Sequence, residues 1–220
     1  RQILAMAKKY PQIKAACGIY PIDAVHQLLP KDFPHMPKTF DVDEEVSFIA
    51  SQAKAGRLAA IGECGLDGHW LSENTFKAQE EVFERLIIIA KSYNLPVIVH
   101  SRKLEERTIE ILKSHKPLKV VMHCFGGRTK LALKTAEEDS FYFSIPANAA
   151  RNEAFKKMLR ILPQHLILTE TDAPFLSPQR NTRNTPKSVV ETIKLLANLR
   201  GFSTQEAKDL VWQNYSKLFK

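Results

Sequence analysis

Four residues with metal-binding side chains each stand at the end of a short apolar run. They are two carboxylates and two imidazoles, namely Glu63, His100, His123 and Asp172. Mixed sets of nitrogen and oxygen ligands suit Zn²⁺, Mn²⁺ and similar divalent ions. Such an ion lowers the pKa of a bound water and neutralises charge on a phosphoryl group. The four residue types therefore indicate a site for a divalent metal ion.

Each of these residues has an ordinary explanation when it is taken alone. A histidine at a strand end is usually a hydrogen-bonded polar residue, and a glutamate beside glycine is often solvated. Asp172 precedes Ala173-Pro174, a sequence that also suits a helix cap or a turn. Under these explanations four separate apolar runs end in a metal-binding residue by coincidence, and we therefore favour a shared metal site.

The apolar runs have the character of buried parallel strands. They are short, nearly continuous in apolar residues and rich in Val, Ile, Cys and Phe. Six strands are predicted, over residues 13–20, 58–64, 96–100, 118–124, 140–145 and 165–171. Amphipathic segments between and after them predict helices over residues 44–55, 72–94, 104–114, 131–137, 153–162, 187–199 and 204–218.

This alternation of strands and helices predicts an α/β fold with a parallel sheet, either an open doubly wound sheet or a barrel. No glycine-rich phosphate-binding motif follows any strand, so a nucleotide-cradling fold has no motif to support it. In a parallel barrel all strand C-termini open on one face. The four metal-binding residues at strand ends favour the barrel, where we expect them to converge.

Composition sets the class of protein. With 44% hydrophobic and 25% charged residues, the sequence of 220 residues is typical of one globular domain, and no apolar run is long enough to span a membrane. The net charge of +8 is compatible with a phosphate-bearing partner. Three widely spaced cysteines, Cys17, Cys64 and Cys124, predict free thiols in a reducing compartment, which we expect to be the cytoplasm, or the nucleus in a eukaryote.

Seven motifs in this order resemble the TatD-type family of metal-dependent hydrolases and deoxyribonucleases. They are Gly18-Ile19-Tyr20-Pro21, Ile61-Gly62-Glu63-Cys64-Gly65-Leu66-Asp67, Phe76-x-x-Gln79, Pro96-Val97-Ile98-Val99-His100-Ser101-Arg102, His123-Cys124-Phe125-Gly126-Gly127, Leu168-Thr169-Glu170-Thr171-Asp172-Ala173-Pro174 and Arg183-Asn184-x-Pro186. The resemblance implies a TIM-like (β/α) barrel, one or two divalent metal ions (Mg, Mn or Zn) and hydrolysis of phosphodiester bonds, usually in DNA.

The resemblance also implies roles for individual residues. The family's metal positions fall on Glu63, His100, His123 and Asp172. Glu63 would bridge two metal ions or anchor one, and Asp172 would bind metal or accept a proton from the attacking water. Glu170 has the same strand parity as Asp172, so we expect it to orient a ligand from one layer deeper.

The sequence departs from the family pattern in two places. The family normally begins with a strand that ends in a His-x-His pair, and no such pair occurs here. The six strands would then be the third to eighth of the barrel. We therefore expect residues 1–220 to form a single barrel domain that lacks the N-terminal strands. The family also often has His at the position of Tyr20, which we expect to contact substrate.

Arginines in the segments after strands are candidates for binding phosphate groups. They are Arg102, Arg128, Arg180 and Arg183, and the expected partner is DNA or another phosphodiester, with no membrane contact. Two alternatives remain open from the sequence. The same ligand set can hydrolyse a C–N or ester bond. The missing His-x-His pair and Tyr20 would also suit a relative that binds nucleic acid without catalysis.

Overall fold

The computed structural model describes residues 1–34 and 37–219. The chain folds into two compact units, Arg1–Val120 and Val121–Lys220. Within the described residues, six strands and nine α-helices follow one another along the sequence. No helix among these residues is both long enough and apolar enough to cross a bilayer.

The first unit contains three strands and five helices. The strands are β1 (Ala16–Cys17), β2 (Ala60–Asp67) and β3 (Val97–Arg102). The helices are α1 (Gln2–Lys9), α2 (Pro21–Ala24), α3 (Val42–Lys54), α4 (Phe76–Ser92) and α5 (Glu105–Ser114). Strand β2 pairs in parallel with β1 and with β3. Seven of the eight residues of β2 are buried, as expected of a parallel strand covered on both faces.

Strand β2 contains a bulge at Glu63. Gly62 is paired with Ile98 and Cys64 with Val99, so Glu63 is an extra residue without a partner in the register of β3. In a regular strand Glu63 would be opposite Val99, on the face away from His100. The bulge brings Glu63 to the face of His100, as bulges near functional sites often re-aim a side chain.

The second unit contains the remaining elements. Its strands are β4 (Val120–His123), which begins at the last residue of the first unit, β5 (Tyr142–Ile145) and β6 (Ile167–Thr169). Its helices are α6 (Thr129–Asp139), α7 (Glu153–Ile161), α8 (Val189–Arg200) and α9 (Thr204–Leu218). Strand β5 pairs in parallel with β4 and β6. The rings of Phe125 and Phe143 meet edge to face in its core, with 5.4 Å between their centroids.

Local sequence signals explain where two of these helices begin. The Asn152 side chain accepts hydrogen bonds from the backbone amides of Ala154 and Phe155 at the start of α7. Ser203 and Glu206 form a reciprocal capping box at the start of α9. All six predicted strands and all seven predicted helices are present. The first strand is shorter at both ends than predicted, and the chain enters α2 at Pro21.

The close pairing of β2 with β3 requires glycine at position 65. A Cβ atom there would lie 2.0 Å from the carbonyl oxygen of His100, and the backbone φ is +140°. We expect Gly65→Ala to lower the free energy of unfolding by about 3 kcal/mol or more, measured by urea denaturation. Gly56→Ala is the matched control, since Gly56 also has a positive φ (+65°) but open space around it. It should cost only about 1–2 kcal/mol. Equal losses in the two variants would contradict the role given to close packing.

Candidate metal centre

In the first unit, the His100 imidazole lies between two carboxylates. Its Nε2 is 2.9 Å from Oδ2 of Asp67, and its Nδ1 is 3.1 Å from Oε1 of Glu63. The two carboxylates differ in environment, because the Asp67 side chain is fully buried and 32% of the Glu63 side chain is exposed. Asp67 and the bulged Glu63 come from β2, and His100 comes from β3. We call Glu63, His100 and Asp67 the first cluster.

Hydrogen bonds hold both the carboxylate and the backbone of Asp67 in place. Its second carboxylate oxygen, Oδ1, accepts hydrogen bonds of 2.8 Å from the backbone amides of His69 and Trp70. Gln79 on α4 binds both the backbone amide and the backbone carbonyl of Asp67. Burial alone would raise the pKa of Asp67, but hydrogen bonds to His100 and to the two amides lower its pKa below the usual value. Asp67 is therefore an ionised carboxylate that accepts a hydrogen bond from His100.

The carboxylates of Asp67 and Glu63 also change the pKa of the His100 imidazole. Burial lowers the pKa of His100, but the hydrogen bonds to Asp67 and Glu63 raise its pKa by more, so the net shift is upward. A metal ion binds the neutral ring, and in that ring a proton on Nε2 satisfies the buried carboxylate of Asp67. The nitrogen that can give a lone pair to a metal ion is then Nδ1, the one that faces Glu63.

In the second unit, His123 has a similar environment. Its Nδ1 is 2.6 Å from Oε2 of Glu170, and its Nε2 is 3.7 Å from Oδ1 of Asp172. The Ser144 hydroxyl, from the neighbouring strand β5, donates to the same Oε2 of Glu170. The distance to Asp172 is too long for a direct hydrogen bond. We call His123, Glu170 and Asp172 the second cluster.

Glu170 holds a buried oxygen atom that has no hydrogen-bond partner among the described residues. This atom is Oε1, and the other oxygen, Oε2, makes both contacts of the carboxylate. Burial raises the pKa of Glu170, and the hydrogen bonds to His123 and Ser144 offset this rise only in part. An unpaired buried oxygen is costly in a folded protein, and a bound cation or water would satisfy it.

Both clusters have the geometry of metal ligands supported by a second carboxylate. Two ligand atoms at about 2.0–2.2 Å from one ion are roughly 3–3.6 Å apart. The pair formed by Nδ1 of His100 and Glu63 is separated by 3.1 Å, and the pair formed by Nε2 of His123 and Asp172 by 3.7 Å. No group of three His, Cys, Asp or Glu side chains in the described part of the chain is arranged to hold a metal by itself. Each cluster therefore supplies one imidazole–carboxylate pair.

The residues expected to bind substrate lie at several positions. The Tyr20 ring stands edge-on to His100, 4.9 Å away, just before α2. Arg102 ends β3, is exposed and lies over the Trp70 ring, with its Cζ 5.7 Å from the centroid. Arg128 immediately precedes α6, and Arg183 is exposed beyond β6. The cysteine beside Glu63, Cys64, is fully buried, and burial strongly raises the pKa of its thiol.

Sequence reasoning gave no role to Asp67, Gln79 or Asn184, although each lies within a motif of the family resemblance. The buried Asn184 amide donates to the backbone carbonyls of Thr171 and Phe175 and so fixes the segment that carries Asp172. The parity of Asp67 with Glu63 was an available signal, since residues four apart in a strand share a face.

Comparisons with known proteins point to one family. A family model described as TatD related DNase matches residues 1–220. A human protein named Deoxyribonuclease TATDN3 is 33% identical over 222 residues, which cover 99% of this chain and 78% of the human protein. An uncharacterized metal-dependent hydrolase of Methanocaldococcus jannaschii, MJ1582, is 33% identical over 163 residues, which cover 74% of this chain and 63% of the archaeal protein.

A solved structure establishes the fold. The crystal structure of YjjV, a TatD homologue from Escherichia coli, matches with a TM-score of 0.81 at 23% identity, over 99% of this chain and 81% of the bacterial one. The predicted α/β, TIM-like fold class is thereby confirmed. With a matching family model over its whole length and a relative at 33% identity, the chain belongs to the TatD related DNase family.

Proposed function

We propose that this chain is a divalent-metal-dependent hydrolase of phosphodiester bonds and that its substrate is DNA. The observation that carries the proposal is the pair of clusters in which a buried carboxylate fixes an imidazole beside a half-exposed carboxylate. The names of the relatives, a deoxyribonuclease and a metal-dependent hydrolase, support the same chemistry.

The proposed metal ligands are Glu63, His100, His123 and Asp172, which would bind Mg, Mn or Zn. His100 binds through Nδ1, because Asp67 holds the proton of this ring on Nε2. His123 binds through Nε2, because Glu170 contacts its Nδ1. A bound divalent ion supplies a water of lowered pKa and neutralises charge on the phosphoryl oxygens.

The two half-exposed carboxylates have the catalytic roles in this proposal. The Asp172 side chain is 35% exposed and can accept a proton from the attacking water at Oδ1. Glu63 presents Oε1 beside Nδ1 of His100, where the two atoms would hold the metal ion that activates the water.

Substrate binding is assigned to Tyr20, Arg102, Arg128 and Arg183. Their phenol and guanidinium groups are donors for phosphate oxygens, and the net charge of +8 favours a polyanion. This balance of charge is also the reason to prefer a phosphodiester over a C–N or ester bond as the target. It equally suits a relative that binds DNA without cleaving it, so the decisive observation is hydrolysis itself.

Metal binding tests the ligand set. We expect this chain to bind at most one Mn²⁺ or Zn²⁺ ion tightly in titration calorimetry, because two imidazoles and two carboxylates are too few for two complete sites. His123→Ala should weaken binding by about 100-fold or more, beyond the 10–100-fold typical of losing a supporting group. His165→Ala replaces an exposed histidine of the same unit and should leave the affinity unchanged. Undiminished binding by His123→Ala would place the metal elsewhere.

The supporting role of Asp67 has a separate test. Asp67→Asn keeps the shape of the side chain but can turn an amide donor toward His100. The ring then loses the acceptor that keeps its proton on Nε2, and metal affinity should fall by about 10- to 100-fold. Nitrogen NMR shifts of the His100 ring should report the change of tautomer. An unchanged tautomer together with weaker metal binding would reassign Asp67 to a purely structural role.

Hydrolysis and its dependence on salt test the rest of the proposal. We expect cleavage of single-stranded and plasmid DNA that is abolished by a chelator and restored by Mn²⁺. Arg102→Gln should weaken DNA binding and reduce the slope of affinity against salt by about 1, as expected for the loss of one phosphate contact. The control is Arg57→Gln, since Arg57 precedes β2 and so lies at the opposite end of the strands. Equal effects of the two substitutions would indicate general attraction to charge.

A further inference from the structure

The loop after β2 carries an exposed aromatic side chain beside an arginine. Trp70 is 38% exposed, Arg102 lies over its ring, and the His69 ring meets it edge to face at 4.7 Å. Tryptophan is enriched at binding interfaces, because it combines a large apolar ring with a hydrogen-bonding N–H. An indole stacked with a guanidinium is a common surface for a nucleobase, because every base has a π-face and each phosphate carries negative charge.

This loop is held rigidly from several directions. The Gly68 amide donates to the carbonyl of Arg102 at 2.8 Å, and the amides of His69 and Trp70 both donate to Asp67. The next residue, Leu71, is buried in a small apolar cluster in which Tyr20 also packs. A side chain on such a loop loses little conformational freedom when a ligand binds, so the contact favours affinity.

The loop is also connected to the proposed metal ligand by a single carboxylate. One oxygen of Asp67 contacts Nε2 of His100, and the other accepts the Trp70 amide. The backbone of Trp70 and the imidazole of His100 are therefore held by the same carboxylate. Arg102, the other member of the pair, follows His100 by two residues and so lies on the same face of β3 as this proposed metal ligand.

We infer that Trp70 and Arg102 form a platform on which an unpaired nucleobase of the substrate stacks beside His100. This inference rests on the proposed function and adds a preference for unpaired DNA. A base inside a duplex is stacked on both faces, so it cannot stack on Trp70. The platform contacts bases through stacking and phosphate through Arg102, so it favours single-stranded DNA over duplex DNA without reading sequence.

Fluorescence can test the platform independently of catalysis, because the sequence holds only two tryptophans. Trp212→Phe leaves Trp70 as the only indole, and Trp70→Phe leaves Trp212, an exposed residue on α9 that stacks on Tyr215. In the presence of a chelator, an oligothymidylate should quench the Trp212→Phe protein saturably and leave the Trp70→Phe protein unchanged. An oligomer of the same length with abasic residues should quench neither. Quenching of neither variant by bases, or equal quenching by the abasic oligomer, would overturn the inference.

Kinetics separate stacking from a structural role. Trp70→Ala should raise KM for single-stranded DNA by about 5- to 100-fold, the range expected from losing one base stack, and change kcat by less than about threefold. Trp70→Phe should restore most of the affinity, and Trp212→Phe should match the unaltered protein. Cleavage of the abasic oligomer should be insensitive to Trp70→Ala. A loss of kcat on both substrates would instead indicate that Trp70 only supports the fold.

These two experiments distinguish the failure of the inference from failure of the proposed function. Base-dependent quenching of Trp70 in a protein without chelator-sensitive hydrolysis would refute the proposed activity and retain the stacking platform. Metal-dependent hydrolysis with no base-dependent quenching would retain the activity and refute the platform.

Discussion

The hydrogen bond between a buried carboxylate and an imidazole is the interaction on which the candidate site depends. An imidazole can bind a metal ion only through the nitrogen that carries no proton, so something must hold the proton on the other nitrogen. Asp67 does this for His100, and Glu170 contacts His123 in the same way. A buried carboxylate is in turn expensive without such a partner, so each member of the pair stabilises the other.

The two clusters use opposite nitrogens of their rings. His100 is held through Nε2 and His123 through Nδ1, so different edges of the two imidazoles face the half-exposed carboxylates. In the second cluster three neighbouring parts of the chain cooperate. His123 pairs in register with Ser144, and Ser144 donates to Glu170 beyond β6. The parallel pairing of the strands thus determines which groups can meet at each ring.

Much of this arrangement could be predicted from the sequence. The apolar runs predicted all six strands, and the metal-binding residues at their ends identified Glu63, His100, His123 and Asp172 as candidates. The approach of Glu63 to His100 was expected from their places at strand ends, but the bulge that allows it could not be predicted, because continuing the register of Gly62 with Ile98 would place Glu63 opposite Val99, on the other face. Only the pairing of β2 with β3 reveals the extra residue at position 63. The four-residue helix α2 was missed because it is too short to show a helical period.

The bulge in β2 means that the first cluster cannot be described by residue types and spacing alone. Before Glu63, the residues of β2 with even numbers lie on the His100 face of the sheet. After it, the residues with odd numbers do so. Moving Glu63, Asp67 and His100 onto a regular parallel pair that keeps the register of Gly62 with Ile98 would therefore turn both carboxylates away from the histidine, even with every spacing in the sequence preserved. A designed copy of this centre must carry the bulge with it, together with the glycines at 62 and 65 that let the neighbouring strand approach. A copy of the first cluster therefore needs the distorted backbone of β2 as well as the three side chains.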